Sequence, residues 1–574
     1  MKKKLGWFLI LSVLAGFIVI MVVPKKTILN IYRYAKGARF EKRSTEPVLA
    51  ILDWDTKHLK VNADSFQYFN FRISDSGYEM PDGIAKMDPG RSTFVSVDMW
   101  NNFLVENPLE SIIKGNYDSK IIEMCKLFSK ERSAIFIRWN PEMEVPAKIY
   151  PWQNQSPKLY NEAFRYFSTL CKKWLPGAKI VWSTAGYPGV LEYYPGDEVI
   201  DYVSVTLQSK SEKSTKAFPD YKSVAEEVER KIHRMRFISK PVLVLGESET
   251  DNRDSVLTGI NEAAQYISNH SEIIYQTAVL NTKPSIAGTR ESDLKIGVYD
   301  PKEQLNQLKE VSTEHIFPNW KDLQDGSFEK QFNAIIARNH DVIVTMEPWR
   351  EMNAKPDSNL LESIVNGRYD EHLNKLFSTI AKVDRTVYLR WIHEMEIPVT
   401  RYPWQSQPPV NYIKAFRYFA SFRKPENTNI KLVWGPAGDR GLQDFWPGND
   451  VVDVISMAIY GLPDKNITDH KKQESFYSIY DRKAYRMRLF DKPIFVTEFG
   501  IKGPEDYQLE WLLAASETIN STPRITGVSY FNMVDTPKAW GDIEAPDWSI
   551  SKETFIRFVK SLELNVQKKS IATN

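Results

Sequence analysis

Cysteine is nearly missing from this chain. Only Cys125 and Cys171 occur in 574 residues, which excludes a disulfide-built scaffold and a cysteine-rich zinc site. Histidine is scarce as well, 8 in all and scattered, so no metal and no cofactor are expected. An excess of one charge is also absent. Lys+Arg 75 against Asp+Glu 73 leaves a formal charge of +2, no basic field for nucleic acid. What is present is apolar and aromatic: 42% hydrophobic and 13% Phe, Trp and Tyr. That is ample for packed cores, and flat rings of this kind suit sugar faces equally well. The length exceeds what one core sustains, and two domains of about 250 residues fit it better.

The first long feature is an uncharged run from Leu5 to Val23 behind Lys2-Lys3-Lys4. At 1.5 Å per residue it would reach about 28 Å, close to a bilayer's hydrocarbon thickness. It ends in Val22-Val23-Pro24-Lys25-Lys26 without an Ala-x-Ala-like site. We read it as an uncleaved signal-anchor, 1–24, followed by a basic juxtamembrane linker, 25–45. The expectation is a single-pass cell-membrane protein with an extracytoplasmic body. Lys25, Lys26, Arg33, Lys36, Arg39, Lys42 and Arg43 follow the run, and a plain count of these charges points the other way.

Self-comparison exposes a duplication. Arg138-Trp139-Asn140-Pro141-Glu142-Met143-Glu144 returns as Arg390-Trp391-Ile392-His393-Glu394-Met395-Glu396. Tyr150-Pro151-Trp152-Gln153 returns as Tyr402-Pro403-Trp404-Gln405, and Arg234-Met235-Arg236 as Arg486-Met487-Arg488, always 252 residues on. A constant offset over about a hundred residues marks a duplicated domain, since the period is too long for a solenoid unit. Within the second copy, apolar runs at 295–299, 342–346, 387–391, 431–434, 454–459, 493–498 and 526–532 alternate with stretches of helical spacing. That alternation and a copy length of about 250 residues predict an eight-stranded β/α barrel. No Gly-x-Gly-x-x-Gly turn supports the doubly wound alternative. The expected fold is therefore α/β: two tandem (β/α)8 TIM barrels, 46–291 and 292–565, preceded by one N-terminal transmembrane helix and followed by a tail, 566–574.

Glu347, Glu394 and Glu498 each close an apolar run of the second copy, the end of a strand that faces the mouth of such a barrel. Paired carboxylates among Trp and Tyr, without a metal, are the equipment of glycosidic-bond hydrolysis. The segment Arg390-Trp391-Ile392-His393-Glu394-Met395 followed by Tyr402-Pro403-Trp404 resembles glycoside hydrolase family 26, β-mannanases and related endo-β-glucanases on a β/α barrel. Gly297-Val298-Tyr299-Asp300-Pro301, Glu347-Pro348-Trp349, Val433-Trp434-Gly435-Pro436 and Glu498-Phe499-Gly500 extend the resemblance over about 294–564. The resemblance implies Glu394 as general acid/base and Glu498 as nucleophile of a retaining mechanism. It also implies His393 beside the −1 sugar, Tyr460 orienting the nucleophile, and Arg390, Glu347, Trp349, Trp404, Trp434 and Trp540 as substrate-binding residues. One departure stands out: Glu396-Ile397-Pro398 replaces the Asn, with a Gly close behind, that commonly follows His-Glu-Met.

In the first copy Glu394 maps to Glu142, but His393 maps to Pro141, Tyr460 to Gln208 and Glu498 to Gly246, with Glu247 one residue out. A retaining glycosidase without its nucleophile cannot form a glycosyl-enzyme, so this copy is expected to be inactive. Its Trp100, Trp152 and Trp182 would permit sugar binding. The sequence thus points to a membrane-anchored retaining glycosidase acting on a β-linked polysaccharide through its second barrel, of the endo-β-mannanase or β-glucanase type. The alternative reading is a non-catalytic glycan-binding component of an exopolysaccharide synthesis or export system.

Overall fold

The computed structural model describes residues 47–572, apart from 63–65, 75–76, 82–83, 101–106, 130–132, 148, 216–220, 247–252, 279–292, 353–354, 400, 463–469 and 541. The chain divides into two compact units between Ile274 and Tyr275.

The second unit is a closed barrel of eight parallel strands: β10 (Lys295–Tyr299), β11 (Thr313–Ile316), β12 (Asp341–Met346), β13 (Val387–Trp391), β14 (Ile430–Trp434), β15 (Val454–Tyr460), β16 (Ile494–Gly500) and β17 (Ile525–Phe531). β10 bonds to β11 on one side and β17 on the other, which closes the ring. Strands covered on both faces need continuous apolar runs. β12 meets that need with Asp-Val-Ile-Val-Thr-Met, buried throughout. The helices between strands are amphipathic and start on local signals. Asn319 forms a capping box with Asp322, and Pro409 opens the helix Pro409–Ala420, where its missing N–H is lost without cost. Inside the barrel Ile343, Val433, Val454 and Phe495 form one buried cluster with Tyr388 against it.

The first unit corrects the expectation of two tandem barrels. Its strands are β1 (Val48–Asp53), β2 (His58–Val61), β3 (Gln67–Ser74), β4 (Gly77–Glu79), β5 (Thr93–Met99), β6 (Ile135–Trp139), β7 (Lys179–Thr184), β8 (Tyr202–Leu207) and β9 (Val242–Gly246). They form one mixed nine-stranded sheet in the order β2-β1-β9-β8-β7-β6-β5-β3-β4, not a closed ring. β3, β5, β6, β7, β8 and β9 run parallel, as in a barrel. Two changes stop closure. The segment that the repeat assigns to an eighth strand folds instead as the helix Ser271–Gln276. β1 then lies antiparallel on β9, so it cannot serve as the parallel first strand beside β3, whose outer neighbour is the antiparallel β4.

The predicted N-terminal transmembrane helix is not found either. Among the described residues no helix is long and apolar enough to cross a membrane, and the run 5–23 lies outside them. Among the described residues the longest helix, Lys552–Ala572, carries charge in its first half (Lys552, Glu553, Arg557, Lys560).

Candidate active site

The carboxyl ends of β12, β13, β15 and β16 bring the candidate residues to one mouth, as parallel strands of a barrel must. Glu498 owes its direction to an irregularity. Met457 pairs with Val496, but Ala458 pairs with Glu498, so Thr497 is an extra residue in β16. Such a bulge bends the strand and re-aims the side chain after it. The Glu498 carboxylate forms an ion pair with Arg390 and accepts from the Tyr460 hydroxyl at 3.0 Å. Burial and the Glu498 charge hold that phenol well above its ordinary range, so it stays a donor. Arg390 is buried and also lies 3.4 Å from Thr497 Oγ1. It reaches Glu498 past Gly435, where a Cβ would stand 2.8 Å from its Nε.

Glu394 sits in a turn rather than in the strand. Ile392 and Glu394 have φ of 40° and 54°, left-handed values costly for such residues. The surroundings hold them there. Glu394 N–H donates to the Gly435 carbonyl at 2.7 Å, Gln405 Nε2 to the Glu394 carbonyl at 3.2 Å, and Trp404 Nε1 to the His393 carbonyl at 2.7 Å. Burial, then the nearby Glu498 charge, pushes the Glu394 carboxyl up, against Arg390, Lys483 and Arg401. Two glutamates of one mouth therefore stand in different surroundings: one meets a guanidinium and a phenol, the other is driven to keep its proton.

Glu396, the departure noted in the sequence, is taken up by the loop after β14. Its buried Oε1 accepts from the N–H groups of Gly438 and Asp439 at 2.8 and 3.0 Å, and burial pushes the carboxyl up to about 7. The repeated Arg-Met-Arg motif serves the same loop, with Arg486 Nη1 donating to the Gly438 carbonyl at 2.7 Å.

Glu347 accepts from Tyr402 Oη at 3.0 Å and Trp349 Nε1 at 3.3 Å, with His393 Nε2 3.9 Å away. Burial pushes this carboxyl up too. Trp349 and Trp540 are partly exposed. Trp540 Nε1 donates to Asp535 at 3.0 Å, and Asp535 also accepts from Trp548, whose ring lies 4.9 Å from that of Tyr460. Trp404 and Trp434 are fully buried. Trp404 stacks on Tyr402 at 4.5 Å, and Trp434 packs among Trp446 and Phe490, so neither presents a free face. Sequence reasoning did not single out His315, Thr497 or Lys483, whose Nζ donates to the Ala437 and Ala458 carbonyls. The 252-residue repeat carried a signal for Lys483 alone, which recurs from Lys231. Among the described residues no group of three His, Cys, Asp or Glu could hold a metal.

The first unit keeps the turn but changes the partners around it. Glu142 has φ of 59°, and its N–H donates to the Ser183 carbonyl. Gln153 and Trp152 repeat the contacts of Gln405 and Trp404. Here, though, Glu142 is buried and accepts from Ser209 Oγ at 3.0 Å. Ser209 caps the short helix Lys210–Lys213, whose Ser211 meets Gln153 and whose Glu212 pairs with Lys231 at 2.7 Å. β8 and β9 pair without a bulge, Leu207 opposite Gly246, and a Cβ on Gly246 would stand 2.5 Å from Leu49 Cδ1. β1 thus fills the place a nucleophile would need. Glu247 lies outside the described residues. Trp100, Trp152 and Trp182 are all buried, so none offers a ring to a sugar.

No family model matches the chain. It is 27% identical over 171 residues to the beta-1,3-xylanase TXYA of a Vibrio species, 29% of this chain and 33% of that protein. To a beta-1,3-xylanase of an Alcaligenes species it is 26% identical over 170 residues, 28% and 31% of the two chains. The chain spans about a third of the length of these curated relatives. Among solved structures, GH26C of a Muricauda species aligns with TM-score 0.36 and 15% identity, over 47% of this chain and 86% of that one. A modular family 26 endo-beta-1,4-mannanase of Cellulomonas fimi aligns with TM-score 0.32 and 14% identity, over 43% and 62%.

Proposed function

We propose that the second unit is a polysaccharide-degrading glycosidase that works with retention of configuration on a β-linked backbone. The observation that carries this reading is the unequal treatment of two glutamates at one mouth: Glu498 on Arg390 and Tyr460, Glu394 with its pKa pushed up by burial and by the Glu498 charge. In the first step Glu498 attacks the anomeric carbon while Glu394 gives its proton to the departing oxygen, and a glycosyl-enzyme forms. In the second step Glu394, now ionised, takes a proton from water, the water attacks the anomeric carbon, and Glu498 leaves. Tyr460 and Arg390 would steady the carboxylate as its charge is consumed and restored. Trp349, with the Arg350 guanidinium 4.1 Å over its ring, and Trp540 are the partly exposed candidates for contact with sugar, and Glu347 with His393 supplies polar partners for hydroxyls.

The substrate class is drawn from the relatives. Two matching proteins are named beta-1,3-xylanases, so β-1,3-xylan stands beside β-mannan and β-glucan as the polymers to try. The test is release of reducing ends from these three by the full chain and by its Glu498→Gln variant. Activity in the wild type and its loss in the variant are expected. Equal release by both would overturn the reading.

A further inference from the structure

Three features differ together between the two units, and they meet at a residue that the reaction above does not use. In the second unit the carbonyl of Thr497, the extra residue of β16, lies 3.1 Å from His315 Nδ1. The other ring nitrogen, Nε2, lies 2.7 Å from Thr345 Oγ1. His315 is buried in the barrel interior, and burial together with Arg390 holds its pKa well below the ordinary value. A neutral ring carries one proton. The arrangement that serves both contacts puts it on Nδ1, donated to the Thr497 carbonyl, with the Thr345 hydroxyl donating to Nε2.

The first unit provides an internal comparison. Its strand register places Tyr68 where His315 stands, since Tyr68 pairs with Phe94 and Phe94 with Phe136, as His315 pairs with Ile343 and Ile343 with Tyr388. Ser96, opposite Arg138, takes the place of Thr345, opposite Arg390. There the Tyr68 hydroxyl accepts from the Val48 N–H at 2.6 Å, β9 runs without an extra residue, and Gly246 holds the nucleophile's place. Histidine, bulge and glutamate are present together in one unit and absent together from the other.

The physical link is the ladder. A bulged residue leaves the regular pairing, and a buried carbonyl released from it needs another donor. Without the extra residue, every following side chain would turn to the opposite face, and Glu498 would leave the mouth. On the reading of Glu498 as nucleophile, we infer that His315 is a positioning residue whose Nδ1–H holds the Thr497 carbonyl in the bulged form that aims Glu498 at Arg390 and Tyr460.

The test uses the full chain with His315→Leu, which has no donor, and His315→Asn, whose amide N–H can reach the carbonyl. A nucleophile displaced by about 1 Å costs on the order of a hundredfold. The Leu variant is therefore expected to lose about a hundredfold in kcat with KM within about threefold, and the Asn variant to recover to within about tenfold of wild type. A crystal structure of the Leu variant is expected to show Glu498 off Arg390, Tyr460 or both. A folded Leu variant with kcat within about threefold of wild type, or with Glu498 still on both partners, overturns the inference. If the wild type cleaves none of the polymers, the glycosidase reading fails, and the crystal comparison still decides what His315 does. If the Leu variant does not fold, nitrogen-15 NMR of the wild-type ring decides: a proton on Nδ1 supports the role, a proton on Nε2 ends it.

Discussion

The hydroxyl of Tyr460, the last residue of β15, donates to Oε2 of Glu498 in β16 at 3.0 Å. A hydrogen bond to a charged group contributes about 1.5–3 kcal/mol, and this one is made to the carboxylate proposed as nucleophile. Tyr460→Phe is expected to lower kcat by about tenfold to a hundredfold and leave the fold intact. Steady-state kinetics alongside a thermal melt would check both halves.

Arg390 stands on the other side of the same carboxylate, nearly without solvent. Removing one member of a buried pair strands the other and costs about 3–5 kcal/mol. Arg390→Leu should therefore lower both stability and turnover, measured by urea unfolding and initial rates. Gly435→Ala tests the same contact more gently. Its methyl would stand 2.8 Å from Arg390 Nε and 3.0 Å from Ser456 Oγ. Activity should fall while the melting temperature moves little, because the side chain that yields is the one holding Glu498.

Glu394 must carry a proton to act as the acid. Its pKa is raised by burial and by Glu498, so kcat/KM is expected to fall as pH rises through that raised value. A Glu394→Ala variant, assayed with an activated aryl glycoside that needs no protonation, should lose this alkaline limb. A profile unchanged by the substitution would assign the limb to another group.

Glu396 makes a stability prediction whose sign is fixed. Its carboxyl binds a proton more tightly in the folded chain, at about 7 against an ordinary 4.5. The favourable contribution is whole below the unfolded value and lost as pH climbs from 4.5 through about 7. Glu396→Gln keeps an oxygen for the Gly438 and Asp439 N–H groups and cannot ionise. It should melt higher than wild type at pH 8 and alike at pH 4, with activity retained.

Glu142 occupies the place of Glu394 in the first unit, capped by Ser209 and without a nucleophile opposite. Glu142→Gln should leave hydrolysis within about twofold of wild type, because on the proposed mechanism a glycosyl-enzyme forms only on Glu498. Glu394→Gln assayed beside it is expected to be impaired, and equal losses would move chemistry into the first unit.

Much of this was legible in the one-dimensional record because it depends on local composition and spacing. The constant offset marked a duplication, the apolar runs marked seven of the second unit's eight strands, and the glutamates at their ends marked its mouth; β11, Thr-Glu-His-Ile, is too short and too polar to read as such a run. The glycine at 246, where the repeat places the counterpart of Glu498, was legible without coordinates. Which way Trp404 and Trp434 face was not legible, since burial against Trp446, Phe490 or Tyr402 depends on neighbours far along the chain. Nor was the role of Glu396: a carboxyl next to the acid/base turn could face sugar or backbone with the same letters.

Composition and periodicity by themselves determined that residues 295–531 form alternating strands and helices, because burying both faces of a parallel strand requires those runs. They determined equally that the first unit lacks a carboxylate at position 246. Only the tertiary structure decided whether each ring closes, because closure depends on which edge a first strand pairs with. β10 joins β17, whereas β1 turns antiparallel onto β9. The direction of Glu498 was decided there too, by one extra residue in a ladder, whose carbonyl lies 3.1 Å from a buried imidazole nitrogen.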